Sequence, residues 1–425
     1  MTPLGPGEFA ALMAPLGPFE AIPRVAIAVS GGADSLALTM LADGWARAHG
    51  GHTIALIVDH GLRHASANEA TITSERLRAR NIASRILPLV GLAHGPALAA
   101  RARAARYAAL EAACAETGIV HLLLGHHAAD QAETLAMRML AGSLPPGLAC
   151  MAALAETAHV RRLRPLLAIP PGRLRATLVA HGMDWIEDPS NTDPASLRAR
   201  LRALRGDRDG DGPATRGAVM AAFARGRARG AEDRALADLL ARRVDMALEG
   251  YALLRPGTLP ASALAMVLRV LGGAPWPPSP ALVAALAAAP RPATLGGVRM
   301  LRAGRMRPGS WLLVREAAAM APPVPALDGA RWDGRYRLEV AGTSFPNAEL
   351  GALGADAARL RGWSDLPSAV LQTLPAVRAG GELIGVPHLR YPDALRCARY
   401  RAVFAPHGAL TSAPFVAADF VVPPA

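Results

Sequence analysis

The most regular feature of the chain is a repeated change of hydrophobic period over its first 190 residues. Apolar, β-branched runs occur at 25–29 (VAIAV), 53–58 (TIALIV), 84–89 (SRILPL) and 120–125 (VHLLLG). Between them lie stretches at 34–48, 66–81, 96–117 and 128–141 whose apolar residues recur every three or four positions. The runs predict strands and the stretches between them predict helices. Strand and helix in strict alternation predict an α/β fold, a doubly wound parallel sheet covered on both faces. Ligands of such sheets collect beyond the carboxyl ends of the strands. The polar residues that punctuate this pattern fall there: Ser30–Ser35 after the first run, Asp59–Arg63 after the second, His126–Glu133 after the fourth.

Further along, the pattern changes twice. Residues 206–216 (GDRDGDGPATR) have the Gly, Asp and Pro content of a linker or insertion. Residues 217–290 are Ala- and Leu-rich and read as mostly helical. From about 293 short runs mix with Gly, Pro and Arg, which suggests a small module containing strands. The expected division is a catalytic α/β domain over 1–205, a linker over 206–216, a mostly helical domain over 217–320 and a mixed C-terminal module over 321–425. DRDGDG (207–212) imitates the start of an EF-hand loop, but Ala218 stands where that loop needs a bidentate Glu, so it reads as an acidic turn.

Composition narrows the picture. A chain of 425 residues, 52% hydrophobic and 19% charged, has enough apolar content to fold and enough length for two or three cores. All 46 basic residues are arginine, and the net charge is +12. Either a coding bias or an affinity for polyanions accounts for that. Cys114, Cys150 and Cys397 are far apart and make no CxxC pair. A disulfide framework, a zinc centre and an iron–sulfur centre are therefore poorly supported, and a reducing cytoplasm fits. No basic residue precedes Arg24, unlike a signal peptide, and no segment reads as a membrane span.

The first polar turn carries the strongest chemistry. A strand that ends in Ser30-Gly31-Gly32-Ala33-Asp34-Ser35 and opens a helix is suited to phosphate. Two glycines let backbone N–H groups approach an anion, and the helix adds its positive end. Ser30 and Ser35 offer hydroxyl donors. Asp34 cannot help an anion directly, and its natural partner is a Mg²⁺ carried by that anion. The turn has the pattern of neither a Walker A loop nor a dinucleotide fingerprint. It resembles the pyrophosphate loop of the N-type ATP pyrophosphatases. That resemblance implies that ATP is split between its α and β phosphates to adenylate a carbonyl oxygen, after which a nucleophile displaces AMP.

Three more stretches select within that superfamily: VDHGLR (58–63), ARAARYAAL (102–110) and GHHAADQAETLAMRML (125–140), followed by EDPSN (187–191) and a run of arginines. In this order they resemble the tRNA(Ile)-lysidine synthetases, well over 24–205 and more weakly over 259–316. The resemblance implies ATP-dependent adenylation of the wobble cytidine in an isoleucine tRNA with a CAU anticodon, then attack at C2 by the ε-amine of free L-lysine. It implies ATP contacts from Ser30, Gly31, Gly32, Ala33, Asp34, Ser35, Asp59 and His60, with magnesium at Asp34. It places lysine at Asp130 and Glu133, counts Asp34, Asp130, Glu133, Arg106 and His126 as catalytic, and sets Arg63, Arg106, Arg198 and Arg202 against tRNA or phosphate. It assigns tRNA binding to the 217–320 block and leaves a homodimer open.

The residues themselves allow more than one reading. Asp130 and Glu133, three apart on a helix, share a face. Either they converge on a lysine ammonium or they are the acidic first turn that any helix favours. Arg101 and Arg103 suit a solvated face, and Arg198, Arg200 and Arg202 suit either a phosphate clamp or an exposed stripe. His126 and His127, adjacent on a turn, diverge and lack a third ligand, so a neutral hydrogen-bonding role is expected rather than a metal. Ala129 stands where the family usually has Asp. Ala199 replaces the usual Asn, and Ser196 stands near its usual aromatic. Three rivals differ in chemistry: a tRNA thiolase, which leans on cysteines; an amidating synthetase, which needs ammonia; and a non-catalytic RNA-binding protein with a spent loop.

Overall fold

A computed structural model describes the whole chain apart from residues 62–64, 92–94, 96, 188–195, 394–397, 412 and 418–425. It falls into two compact units, residues 1–232 with 413–425, and residues 233–412.

The first unit is the expected α/β domain. Its strands are β1 (Arg24–Val29), β2 (His52–Asp59), β3 (Ala83–Pro88), β4 (His121–Leu124), β5 (Leu154–Glu156) and β6 (Arg161–Leu163), in the order β3-β2-β1-β4-β6-β5. All pairings are parallel except β5 with β6. Val25 sits level with Thr53 on one side and His121 on the other. The helices are α1 (Pro6–Met13), α2 (Ala33–Ala48), α3 (Ser66–Arg78), α4 (Leu98–Thr117), α5 (Ala128–Leu140), α6 (Pro171–Ala180), α7 (Leu197–Arg205) and α8 (Pro213–Arg243). The boundary between the two units falls inside α8.

Alternation along β1 divides its side chains between two cores. Val25, Ile27 and Val29 pack with Leu36, Leu38 and Leu41 of α2, Leu174 and Leu178 of α6, and Phe9 and Met13 of α1. Ala26 points the other way, with Leu56, Leu122, Leu124, and Tyr107, Leu110 and Cys114 of α4. Ile27 and Leu38 are fully buried, and burial of such a side chain contributes roughly 1.5–3 kcal/mol. Because β2 and β4 flank β1 and the chain winds outward both ways from it, the sheet reverses its order beside β1. That is where a doubly wound sheet opens a crevice.

Residues 206–216, expected as a linker, are ordered by one side chain. Asp207 accepts hydrogen bonds from the N–H of Asp211 and Gly212 and from Thr215 Oγ1, and so closes the turn that starts α8. The chain also returns to this unit near its end, where Ala153 N–H donates to Val416 O.

The second unit carries more strand than the Ala- and Leu-rich sequence suggested. Strands β7 (Val244–Met246), β8 (Tyr251–Leu254), β9 (Ala293–Leu295), β10 (Val298–Arg302) and β11 (Trp311–Arg315) form an antiparallel sheet in the order β7-β8-β11-β10-β9. It packs on α9 (Ala261–Leu271) and α10 (Pro280–Ala288). Four- and three-stranded antiparallel sheets follow, with Trp332, Tyr336 and Tyr400 in their core. Asp333 there accepts from Arg315 and Arg335, both buried, which anchors this module from within.

Candidate active site

The loop between β1 and α2 is shaped by its two hydroxyls and its first glycine. Ser30 N–H donates to Ser35 Oγ (3.1 Å), and Ser35 Oγ donates to Gly32 O (3.0 Å). Ser35 is buried and closes the loop, whereas Ser30 is exposed and its hydroxyl lies 3.2 Å from that of Ser35. Gly31 has φ +81°, and a Cβ there would stand 2.6 Å from Thr73 Oγ1, so only glycine fits. Its carbonyl accepts from Ile186 N–H (2.9 Å). Gly32 caps α2 in extended geometry and contributes no side chain, so no side-chain cap occupies the N–H groups of the first turn, which holds Ala33 and Asp34.

The end of β4 lies flush against this loop. A Cβ on Gly125 would approach the backbone N and Cα of Ser35 to 3.2 Å. The chain then turns into α5 through His126 and His127. His127 is buried, and its Nε2 lies 3.3 Å from Asp34 Oδ2 and 3.6 Å from Asp130 Oδ2. Its backbone N–H donates to Asp130 Oδ2 (3.1 Å). Burial alone would discharge this ring, but Asp130, Asp34 and Glu133 outweigh it and raise its pKa to about 9. His126 is set the other way. Burial, reinforced by Arg164, Arg103 and Arg106, takes its pKa down to about 3 against the pull of Asp130. One ring is an imidazolium at neutral pH, the other a neutral imidazole.

Asp130 and Glu133 do share the inward face of α5, and each has partners. Burial would lift the Asp130 pKa, but His127 and Arg198 hold it below the usual carboxylate range. Glu133 is fully buried and takes Arg202 Nε at 3.0 Å and Nη2 at 3.3 Å, with Arg205 at 3.6 Å. Arg198 and Arg202, four apart on α7, thus match Asp130 and Glu133 on α5. Arg202 is in an ion pair with Glu133, its side chain still 39% exposed. Ala129 is buried where the family pattern has Asp, and a Cβ at Gly210 of the following turn would stand 3.4 Å from its methyl.

The remaining expected residues are spread around the crevice. Asp59 ends β2 and accepts from Gly61 N–H (3.0 Å) and Ser66 Oγ (2.5 Å), and so shapes the next turn, with His60 beside it. Arg106 is exposed on α4, its guanidinium 5.6 Å from the centre of the Tyr107 ring. Arg63 and most of EDPSN lie outside the described residues. Sequence reasoning missed Arg162 and Arg164. Arg162 stacks 4.2 Å over Tyr107, and buried Arg164 holds Ala152 O. The run RRLR at a strand end was their only signal. With Arg103 and Arg106 they surround Tyr107, and Arg162 also pairs with Glu111. Burial would raise that phenol's pKa, but the four arginines bring it below its usual value.

The donor set bears on magnesium. Among the described residues no group of three or more His, Cys, Asp and Glu could hold a metal ion by itself. Asp34, with its side chain 35% exposed, offers one carboxylate at the loop. That suits an ion which draws most of its ligands from nucleotide phosphates and water, as magnesium does.

A β-strand, a Gly-Gly turn with two hydroxyls and an acidic residue, and a helix N-terminus at the reversal point of a parallel sheet define a nucleotide-binding α/β domain of the PP-loop class. Residues 8–205 match the PP-loop domain family. Over most of its length the chain also resembles curated proteins named tRNA(Ile)-lysidine synthase. It is 35% identical over 385 residues to that of Mesorhizobium japonicum, covering 85% of this chain and 83% of the relative. It is 36% identical over 380 residues to that of Ruegeria pomeroyi, covering 86% and 88%. With the Bradyrhizobium sp. BTAi1 protein it shares 39% identity over 236 residues, 55% of this chain and 61% of that one. The chain belongs to the tRNA(Ile)-lysidine synthase family.

Proposed function

We propose that this chain ligates free L-lysine to C2 of the wobble cytidine of an isoleucine tRNA with a CAU anticodon, using ATP. The observation that supports this most is the meeting of a phosphate loop with a buried acidic helix face across one crevice. ATP lies with its phosphates on Gly31, Gly32 and the start of α2, beside the exposed hydroxyl of Ser30. Asp34 holds the magnesium that accompanies the nucleotide and offsets phosphate charge. O2 of the cytidine attacks the α-phosphorus, and pyrophosphate leaves. The lysine ε-nitrogen, as the free amine, then attacks C2, the C2–O bond to AMP breaks, and the proton that the nitrogen sheds passes to water.

In this reading Asp130 anchors the lysine ammonium. A carboxylate held well ionised binds a cation firmly but is a weak base. His126, kept neutral, donates to or accepts from the adenylated base without adding charge. Arg103 and Arg106, both exposed on α4, take the polyanion, and α7 adds Arg198. The second unit is assigned to tRNA binding on family resemblance alone. A thiolase reading is disfavoured because Cys114 and Cys150 are buried and burial raises both thiols, Cys114 to about 11.

The deciding experiment supplies labelled lysine, ATP, Mg²⁺ and CAU-anticodon tRNA to the full chain. Label should enter the RNA, with AMP and pyrophosphate released in equal amounts. RNA that stays unlabelled would reject the assignment.

A further inference from the structure

We propose that His127 is a positioning residue for nucleotide binding: its imidazole ties the Asp34 carboxylate of the phosphate loop to the start of α5. The inference rests on the reading that this loop takes ATP. Two carboxylates from different elements, Asp34 in the first turn of α2 and Asp130 in the first turn of α5, converge on one ring nitrogen, Nε2, at 3.3 Å and 3.6 Å. One imidazole nitrogen is thus shared by both carboxylates, and among the described residues it is the ion-pair partner of Asp34.

The ring is a fixed post. His127 is in extended geometry at the N-cap of α5, and the ring is buried. The helix it starts is held from both ends of its first turn. Ala128 N–H donates to Ile169 O at 3.0 Å. The Gln131 amide, fully buried, both donates to Met151 O and accepts from Met151 N–H, each at 2.9 Å. Asp34, by contrast, is partly exposed on a side chain with two free torsions. Without the post it would sample several rotamers, and each nucleotide molecule bound would have to select the productive one. A group fixed before binding avoids that entropy.

The test compares His127→Leu with His127→Gln, whose amide Nε2 restores an N–H donor near the imidazole Nε2 position. Binding of a non-hydrolysable ATP analogue with Mg²⁺ is measured on the full chain, together with separate KM values for ATP and lysine and the melting temperature. The Leu variant should bind the analogue at least tenfold more weakly and raise the ATP KM in proportion, with a smaller rise in the lysine KM. The Gln variant should recover to within about threefold. Unchanged analogue binding in the Leu variant would overturn the proposal, as would equal losses for ATP and lysine with no rescue by Gln. If the Leu variant does not fold, a double-mutant cycle of His127→Gln with Asp34→Asn decides: strictly additive losses overturn the coupling. A wild-type protein that binds the analogue but leaves the tRNA unlabelled would sink the functional reading and leave this one standing.

Discussion

Arg202 on α7 forks onto both carboxylate oxygens of Glu133 on α5, a residue with no solvent exposure of its own side chain. The pair joins segments 69 residues apart and helps attach α7, which has no buried residue, to the domain. Removing one partner of a buried pair leaves the other charge without full compensation. Arg202→Met should therefore lower unfolding free energy by about 2 kcal/mol, with Arg205 limiting the loss. Chemical denaturation measures it. A variant as stable as wild type would mean that the pair contributes nothing to holding α7.

The two loop glycines should respond differently. Gly31→Ala forces a positive φ on alanine and drives its methyl into Thr73 Oγ1. A loss of about 1–3 kcal/mol in stability is expected, together with loss of ATP binding. Gly32 has ordinary φ, and a Cβ there would stand 3.5 Å from Ser30 Oγ, within normal contact. Gly32→Ala should leave the melting temperature nearly unchanged and weaken ATP alone, because its methyl occupies the approach to phosphate. Thermal melts with and without nucleotide separate the two effects.

What could be read from the chain was local. The Val25–Val29 run and the turn after it identified both the central strand and the loop, because period and glycine placement are properties of neighbouring residues. The shared face of Asp130 and Glu133 followed from helical spacing. Their partners did not, since Arg202 reaches Glu133 only through the tertiary fold, and the ammonium site expected there is half filled by a guanidinium. His127 was passed over beside His126 because two adjacent histidines look alike until burial and charge set them apart. The sheet of the second unit was hidden because strands such as Val244–Met246 and Tyr251–Leu254 are too short to show a period of two.

Asp34→Ala should abolish turnover while tRNA affinity stays within about threefold, since the proposed function has arginines elsewhere meet the phosphate backbone. Filter binding against salt concentration checks the second half: affinity should fall steeply as salt rises. Equal loss of turnover and tRNA binding in the Asp34 variant would show that this carboxylate supports the RNA surface as well as the nucleotide.

His126 makes a pH prediction of definite sign. Its folded pKa, about 3, lies below the ordinary histidine value of 6.5. The unfolded chain therefore takes up a proton between those values that the folded chain refuses, so stability is full above about pH 6.5 and falls as pH drops toward 3. His126→Asn removes the titrating ring while keeping a polar amide. The stability difference between wild type and this variant should shift steadily against the wild type on acidification from pH 6.5 to 4, and stay constant from pH 7 to 9. A difference that instead changes only on the alkaline side would mean that His126 is charged in the folded protein, and the neutral role assigned to it beside the adenylated base would fail with it.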